Sequence, residues 1–267
     1  MKNKSILWKV AKTLLKIIAV AAFWIAVWWL AAKRVGVDFL LPSPLSVGKE
    51  LLRLLPDASF WLITATSLLR MIWGILISLI LGTLLAYLLS VSRLLRALLS
   101  PVISAIKATP VASFIILALL WLNRDILPVF ITVLIVVPIV CANVLEGISS
   151  VDRELCEVAT VYRFSLPKKL LRLYVPSVAP FFLAACRSSI GMAWKAGMAA
   201  EILATPQNAI GTELYFAKTY FETPTLFAWS LVVILLSLII EKLFLLGLEQ
   251  IGKRFRWIVK GGRDDQA

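Results

Sequence analysis

The sequence predicts an all-α integral membrane protein with six transmembrane helices. Of its 267 residues, 61% are apolar and only 16% charged, against about 45–50% and about 25% in soluble domains. The mean hydropathy is +0.92. The apolar residues also fall in runs of about 20, the length that crosses a bilayer as helix. These proportions exclude an ordinary soluble enzyme, a disordered chain and a fibrous one. Histidine is absent, which removes histidine triads, histidine metal sites and imidazole proton relays. Cys141, Cys156 and Cys186 form no CxxC pair and read as small packing residues. No catalytic residue and no metal-ligand set is assigned.

Six spans are read along the chain: 15–33, 61–90, 102–122, 126–146, 177–203 and 224–247. They divide it into a basic N-terminus at 1–14, a transmembrane domain at 15–248 and a basic tail at 249–267. The net charge is +13, but its arrangement does not suit nucleic acid. Lys2, Lys4, Lys9, Lys12 and Lys16, the segment Arg153 to Arg172, and Lys253 to Arg263 flank apolar runs and form no single stripe. With the N-terminus inside, these clusters and Arg93 and Arg96 fall on cytoplasmic segments, with Lys16 at the inner end of the first span, as the positive-inside rule requires. Both termini are then cytoplasmic, and the lipid bilayer is the first partner.

The first span follows basic residues, as a signal peptide does. Its run through Leu30 is long for one and ends in Ala31-Ala32-Lys33-Arg34, so it reads as an uncleaved anchor. Trp24, Trp28 and Trp29 near its outer end suit either an interfacial belt or lipid-facing packing. In Leu41-Pro42-Ser43-Pro44, Ser43 can cap a short helix whose first position is Pro44. The leucines that follow alternate with Lys49, Glu50 and Arg53, as on a helix lying at the outer membrane surface. Lys107-Ala108-Thr109-Pro110 opens the third span and Pro138 lies within the fourth; each proline removes a helical hydrogen bond. The short Asn123-Arg124-Asp125 connection makes those two spans an antiparallel pair. From Gly261 the tail reads as disordered.

Residues 147–176 form the longest cytoplasmic loop. Leu155, Val158, Ala159 and Tyr162 recur at helical spacing. After a break at Arg163-Phe164, Ser165 can cap a second helix bearing Leu166, Leu170, Leu171 and Leu173 opposite Lys168, Lys169 and Arg172. Two short amphipathic helices without a core of their own need a cover. A partner protein supplies one in the helix-in-groove mode; lipid headgroups are the other candidate.

This loop resembles the E-A-A-x3-G-x9-I-x-L-P loop of ABC-importer permeases. Glu157 and Ala159 match the first and third positions, with Val158 between them. Leu173, Val175 and Pro176 fall at the I, L and P positions. Arg163 stands at the glycine position. A left-handed turn there costs a non-glycine residue about 1 kcal/mol, so either Arg163 keeps ordinary angles or the turn moves to Phe164-Ser165.

Further segments resemble the nitrate/sulfonate/taurine-type permeases. They are Leu41-Pro42-Ser43-Pro44 with Val47, Lys107 to Ala112 through Trp121, and Arg187, Gly191, Ala193-Trp194 and Ala200-Glu201. The likeness covers about residues 15–248. It implies a type I importer permease of the bacterial inner membrane, in which two copies pair. Two separate ABC ATPase subunits dock on Glu157, Val158, Ala159, Tyr162, Arg163, Phe164, Ser165, Leu173 and Pro176, and an extracellular solute-binding protein delivers a small solute. The chain itself has no GxxxxGK[ST] phosphate loop, so it holds no cofactor; ATP and Mg²⁺ belong to the partner ATPase.

Ionisable residues inside a membrane mark candidate pathways. Arg187, Gly191, Trp194, Met198 and Glu201 step by three or four along span five and so share a helix face, with Lys195 a quarter-turn away. That face, with Lys107, Thr109 and Ser113 of span three, is the expected translocation path at the dimer interface. The other reading has Arg187 snorkelling or paired structurally and Glu201 at the outer water boundary. Arg70 in span two reads as an interfacial or packing residue. A self-sufficient secondary transporter or channel for a small anion is the alternative function, but it calls for more intramembrane carboxylates. An intramembrane enzyme lacks paired catalytic groups.

Overall fold

The computed structural model describes residues 2–264, with side chains placed for residues 12, 15, 16, 18–248 and 250. It is all-α and divides into two compact units. One comprises Met1–Trp61 with Glu213–Val232, and the other Leu62–Thr212 with Val233–Ala267.

The first unit contains α1 (Lys2–Val35) and α2 (Pro44–Leu54). The cap expected at Ser43 forms: its Oγ accepts the Ser46 N–H at 3.1 Å, and Pro44 takes the first helical position. Trp28 turns inward, donating from Nε1 to the Pro42 carbonyl at 3.0 Å and stacking on Phe227 at 5.9 Å. Trp24 and Trp29 stay exposed. Phe60 stacks on Trp229 at 5.0 Å, and Trp229 is among the largest fully buried side chains.

The second unit is built on α3 (Ala58–Val91), α6 (Leu127–Ser149) and α9 (Val175–Ala204). Ile75, Ala86, Val136, Val140, Val144, Ala185 and Ala193 form its core. Small residues let these helices approach closely. At Gly197 on α9, a Cβ would run into the Met71 sulfur of α3, so nothing larger fits without repacking. Helix α6 continues unbroken through the buried Pro138.

Three expectations need correction. The third span is not one helix: α4 (Arg93–Ala108) and α5 (Val111–Ala118) meet at a bend of 105°. Pro110 has no N–H and holds Thr109 extended, at φ −82° and ψ 134°, which stops the helix there. Among the described residues, five helices are long and apolar enough to cross a membrane, or six if the bent pair counts as one span. Second, span five does not start at a loop boundary near 176. α8 (Leu166–Lys169) and a π-helical turn, Leu170–Tyr174, run directly into α9. Third, α11 (Thr223–Asp264) continues past Gly261, where the tail was expected to lose order. Residues 265–267 lie outside those described. Two further short helices complete the chain, α7 (Arg153–Val161) and α10 (Ile210–Thr219), the latter without an expectation from sequence.

Candidate functional site

The 147–176 loop owes its shape to two caps. Asp152 opens α7 by accepting the Glu154 N–H at 2.8 Å. At the other end Phe164 N–H donates to the Ala159 carbonyl at 2.9 Å and Arg163 N–H to the Thr160 carbonyl at 3.0 Å. This pair of bonds is a Schellman motif. Arg163 is its left-handed residue, with φ +50°. The turn stays at the glycine position of the resembled motif, and Arg163 bears the left-handed conformation there. Lys168 Nζ sits 4.2 Å from the centroid of the Phe164 ring, and Lys169 Nζ donates to Thr160 Oγ1 at 3.4 Å. The first ties α8 to the turn and the second ties it to α7.

The loop exposes an apolar surface. Ala159, 3% exposed, is the side chain of α7 that turns inward. Leu155, Val158, Val161, Tyr162 and Leu166 remain 49–78% exposed. Glu157, Arg163 and Ser165 are exposed beside them, and Phe164 is half-buried. Leu173 and Pro176, both half-buried, belong to the helical rod leading into α9 and stand apart from this patch in sequence.

The expected path residues separate. Trp194, Met198 and Glu201 are buried within the chain's own bundle. Arg187 and Lys195 are exposed, with Gly191 half-buried. Lys107 and Ser113 are exposed on α4 and α5, and Thr109 lies at the break, its hydroxyl donating to the Ala105 carbonyl at 2.8 Å. Among the described residues, no hydrogen bond or ion pair joins the α4–α5 trio to Arg187 or Lys195. The single face expected on α9 therefore changes along its length: it is exposed at Arg187 and buried from Trp194 to Glu201. Arg187 lies within about 20° of Trp194 and Met198 around the helix axis, so its place along the helix leaves it exposed, whereas Lys195 sits about 80° round.

Glu201 is a buried carboxylate held from three sides. Its side chain is 0% exposed. Oε2 accepts the Ser67 hydroxyl at 2.8 Å and the Gly211 N–H at 3.2 Å, and Oε1 lies 3.7 Å from Arg70 Nη1. Ser67 Oγ in turn accepts the Ile210 N–H at 2.9 Å. Carboxylate and hydroxyl together satisfy the first amides of α10, which a helix start otherwise leaves unpaired. Arg70, its side chain 13% exposed, donates to Asp125 Oδ1 at 3.1 Å and to the Gln207 carbonyl at 2.8 Å. Gly211 is required sterically, because a Cβ there would strike Glu201 Cβ and the Ile202 backbone. Sequence reading singled out Glu201 and missed Ser67, Asp125 and Gly211. The available signal was charge: an acid in span five and a base in span two, each costly alone, have reason to pair. No group of three or more His, Cys, Asp or Glu able to hold a metal is found among the described residues.

Residues 74–256 match the family described as binding-protein-dependent transport system inner membrane component. Over 254 residues the chain is 23% identical to the taurine transport system permease protein of Escherichia coli, covering 92% of this chain and 90% of that one. The formylaminopyrimidine transport permease protein of Halalkalibacterium halodurans is 28% identical over 219 residues, covering 80% and 85% of the two chains. The bicarbonate transport system permease protein of Synechococcus elongatus is 30% identical over 187 residues, 64% of this chain and 66% of that one. In fold, the chain is similar to a solved amino acid ABC transporter at a TM-score of 0.57 and 16% identity, over 72% of this chain and 94% of that one.

Two predictions follow from the geometry. Arg70→Ala leaves the Glu201 charge buried without its cation, a loss of about 3–5 kcal/mol. Glu201→Gln keeps an acceptor for Ser67 and Gly211 and should cost about 1 kcal/mol. Thermal unfolding in detergent should therefore rank Arg70→Ala well below Glu201→Gln, with the double variant less damaged than the sum. Equal or additive losses would contradict the pairing. At the loop, Arg163→Gly relieves about 1 kcal/mol of left-handed strain and should slow hydrogen exchange at the Phe164 amide. Arg163→Val should speed it; the reverse order would show that the turn carries no strain.

Proposed function

This chain belongs to the binding-protein-dependent transport system inner membrane components, and on that premise we propose that it forms the solute path of an ATP-driven importer and docks ATPase subunits on its 147–176 loop. An ABC permease component of the bacterial inner membrane works with an ATPase and a solute-binding protein, and hydrolysis belongs to that ATPase. The observation that carries the docking surface is the exposed apolar patch of Leu155, Val158, Val161, Tyr162 and Leu166. Side chains of this kind on a loop between spans lose favourable burial for as long as nothing covers them. A groove in a partner recovers it, with Glu157, Arg163 and Ser165 at the polar rim and Leu173 and Pro176 carrying motion into α9. Ala159 and Phe164 hold the patch in shape from behind.

Two copies of the chain pair in this reading, with N- and C-termini in the cytoplasm. Arg187 and Lys195 line the path between them, with Lys107, Thr109 and Ser113 contributing from α4 and α5. Trp194, Met198 and Glu201 support that wall from inside the protomer. ATP binding draws the partner subunits together and the loops with them. The membrane helices then exchange two packings that differ in which side is open, a population shift driven by contacts present in only one state. The relatives' names span taurine, bicarbonate and a formylaminopyrimidine. Solute selection in such a group rests with the binding protein.

Co-expression of the permease with its cognate ATPase tests the reading. The wild type should retain the ATPase through purification, and Val158→Asp, Leu155→Asp and Glu157→Lys should each release it without lowering the permease's own melting temperature. Undiminished retention in all three, or solute transport by the permease alone without nucleotide, would overturn it.

A further inference from the structure

Behind the loop lies a cavity of about 750 Å³. Its walls come from the last turns of α3 and α6, from α8 and the π-helical turn, from the start of α9, and from Leu248 of α11. The floor is apolar, with Val144, Val178 and Phe182. Polar groups are few and include Lys169, Tyr87 and Tyr174. Tyr87 and Leu170, which lie outside the apolar patch of α7, are exposed, so the cavity opens outward along the ends of the spans.

We propose that this cavity binds one acyl chain of an anionic phospholipid from the loop-side leaflet, with the phosphate held by Lys169. The volume falls in the range of small-molecule sites, and its largely apolar lining suits a hydrocarbon chain. An ammonium has three donors, and the bond from Lys169 to Thr160 Oγ1 occupies one of them. Lys168 and Arg172 are exposed on the same segment and add positive charge to the rim. Basic residues at the foot of a membrane helix attract anionic headgroups, and a tyrosine at such a rim suits the polar–apolar boundary. The lining also contains the π-helical residues Leu170 and Tyr174; such turns recur at functional sites. A lipid seated here touches α3, α6 and α9 at once and braces α8, which Lys169 links to α7. Occupancy therefore stiffens the base of the loop. The site rests on the membrane placement of the chain and stands whether or not an ATPase grips the loop.

The test uses full-length protein reconstituted in phosphatidylcholine nanodiscs containing a minor share of phosphatidylglycerol, released into mild detergent and weighed by native mass spectrometry. Wild-type protein should keep phosphatidylglycerol in preference to phosphatidylcholine. Lys169→Glu should lower that preference by more than the roughly fivefold worth of one basic side chain's attraction to an anionic surface, because it also adds a repelling charge, and Lys169→Arg should preserve it. Ala179→Trp, which projects a bulky ring from the cavity wall, should weaken retention of phosphatidylglycerol and phosphatidylcholine alike. Retention unchanged in both Lys169→Glu and Ala179→Trp would overturn the site. So would a cysteine at Leu170 that cross-links to a second copy of the chain or to a partner protein, because the mouth would then be covered by protein. The lipid readout is independent of ATPase association, so loss of one without the other tells the two proposals apart.

Discussion

A carboxylate taken out of water inside the bundle organises one end of the second unit. Glu201 has no exposed surface, and burial of a charge costs several kcal/mol unless it is paired and hydrogen-bonded. The surroundings meet that condition with Ser67, the first amides of α10, and Arg70. Each partner comes from a different stretch of chain, so satisfying one carboxylate fixes α3 against α9 and sets where α10 begins. Arg70 extends the network to Asp125 and to the carbonyls of Gln207 and Asn208. Removing Ser67 or Glu201 leaves a buried amide of α10 without its acceptor.

The loop of residues 147–176 is built on the opposite principle. There, leucine, valine and tyrosine side chains stay exposed on a helix held in shape by local bonds. Those bonds are the Asp152 cap, the Schellman turn at Arg163 and the contacts of Lys168 and Lys169. Few of them reach beyond neighbouring segments, so the loop is a small, locally held body joined to α9 through α8 and the π-helical turn.

Much of this was legible in the sequence. Apolar runs located the long helices, because a bilayer imposes a length that nothing else in a chain of this size requires. Ser43-Pro44 marked the start of α2, since cap and fixed φ are local chemistry. The loop's amphipathic spacing located α7 and its exposed patch. The break at Thr109-Pro110 was visible as a proline, yet it was assigned to the opening of a span; the size of a bend depends on what packs on either side. Helix α10 carries no cap of its own in sequence, because a residue of another helix supplies it. The change from exposed to buried along that face of α9 was equally hidden. Arg187 and Glu201 differ in burial according to their neighbours in space, and those neighbours are not neighbours in the chain.

The central claim is that a partner covers the apolar patch of α7. In a Cys156→Ser background, single cysteines at positions 158 and 161 report this directly through maleimide labelling in native membranes. Labelling of both should be strongly suppressed when the ATPase subunits are present and restored when they are stripped away or left unexpressed. Equal labelling rates with and without the ATPase would contradict the claim, for the patch would then be bare in the working assembly.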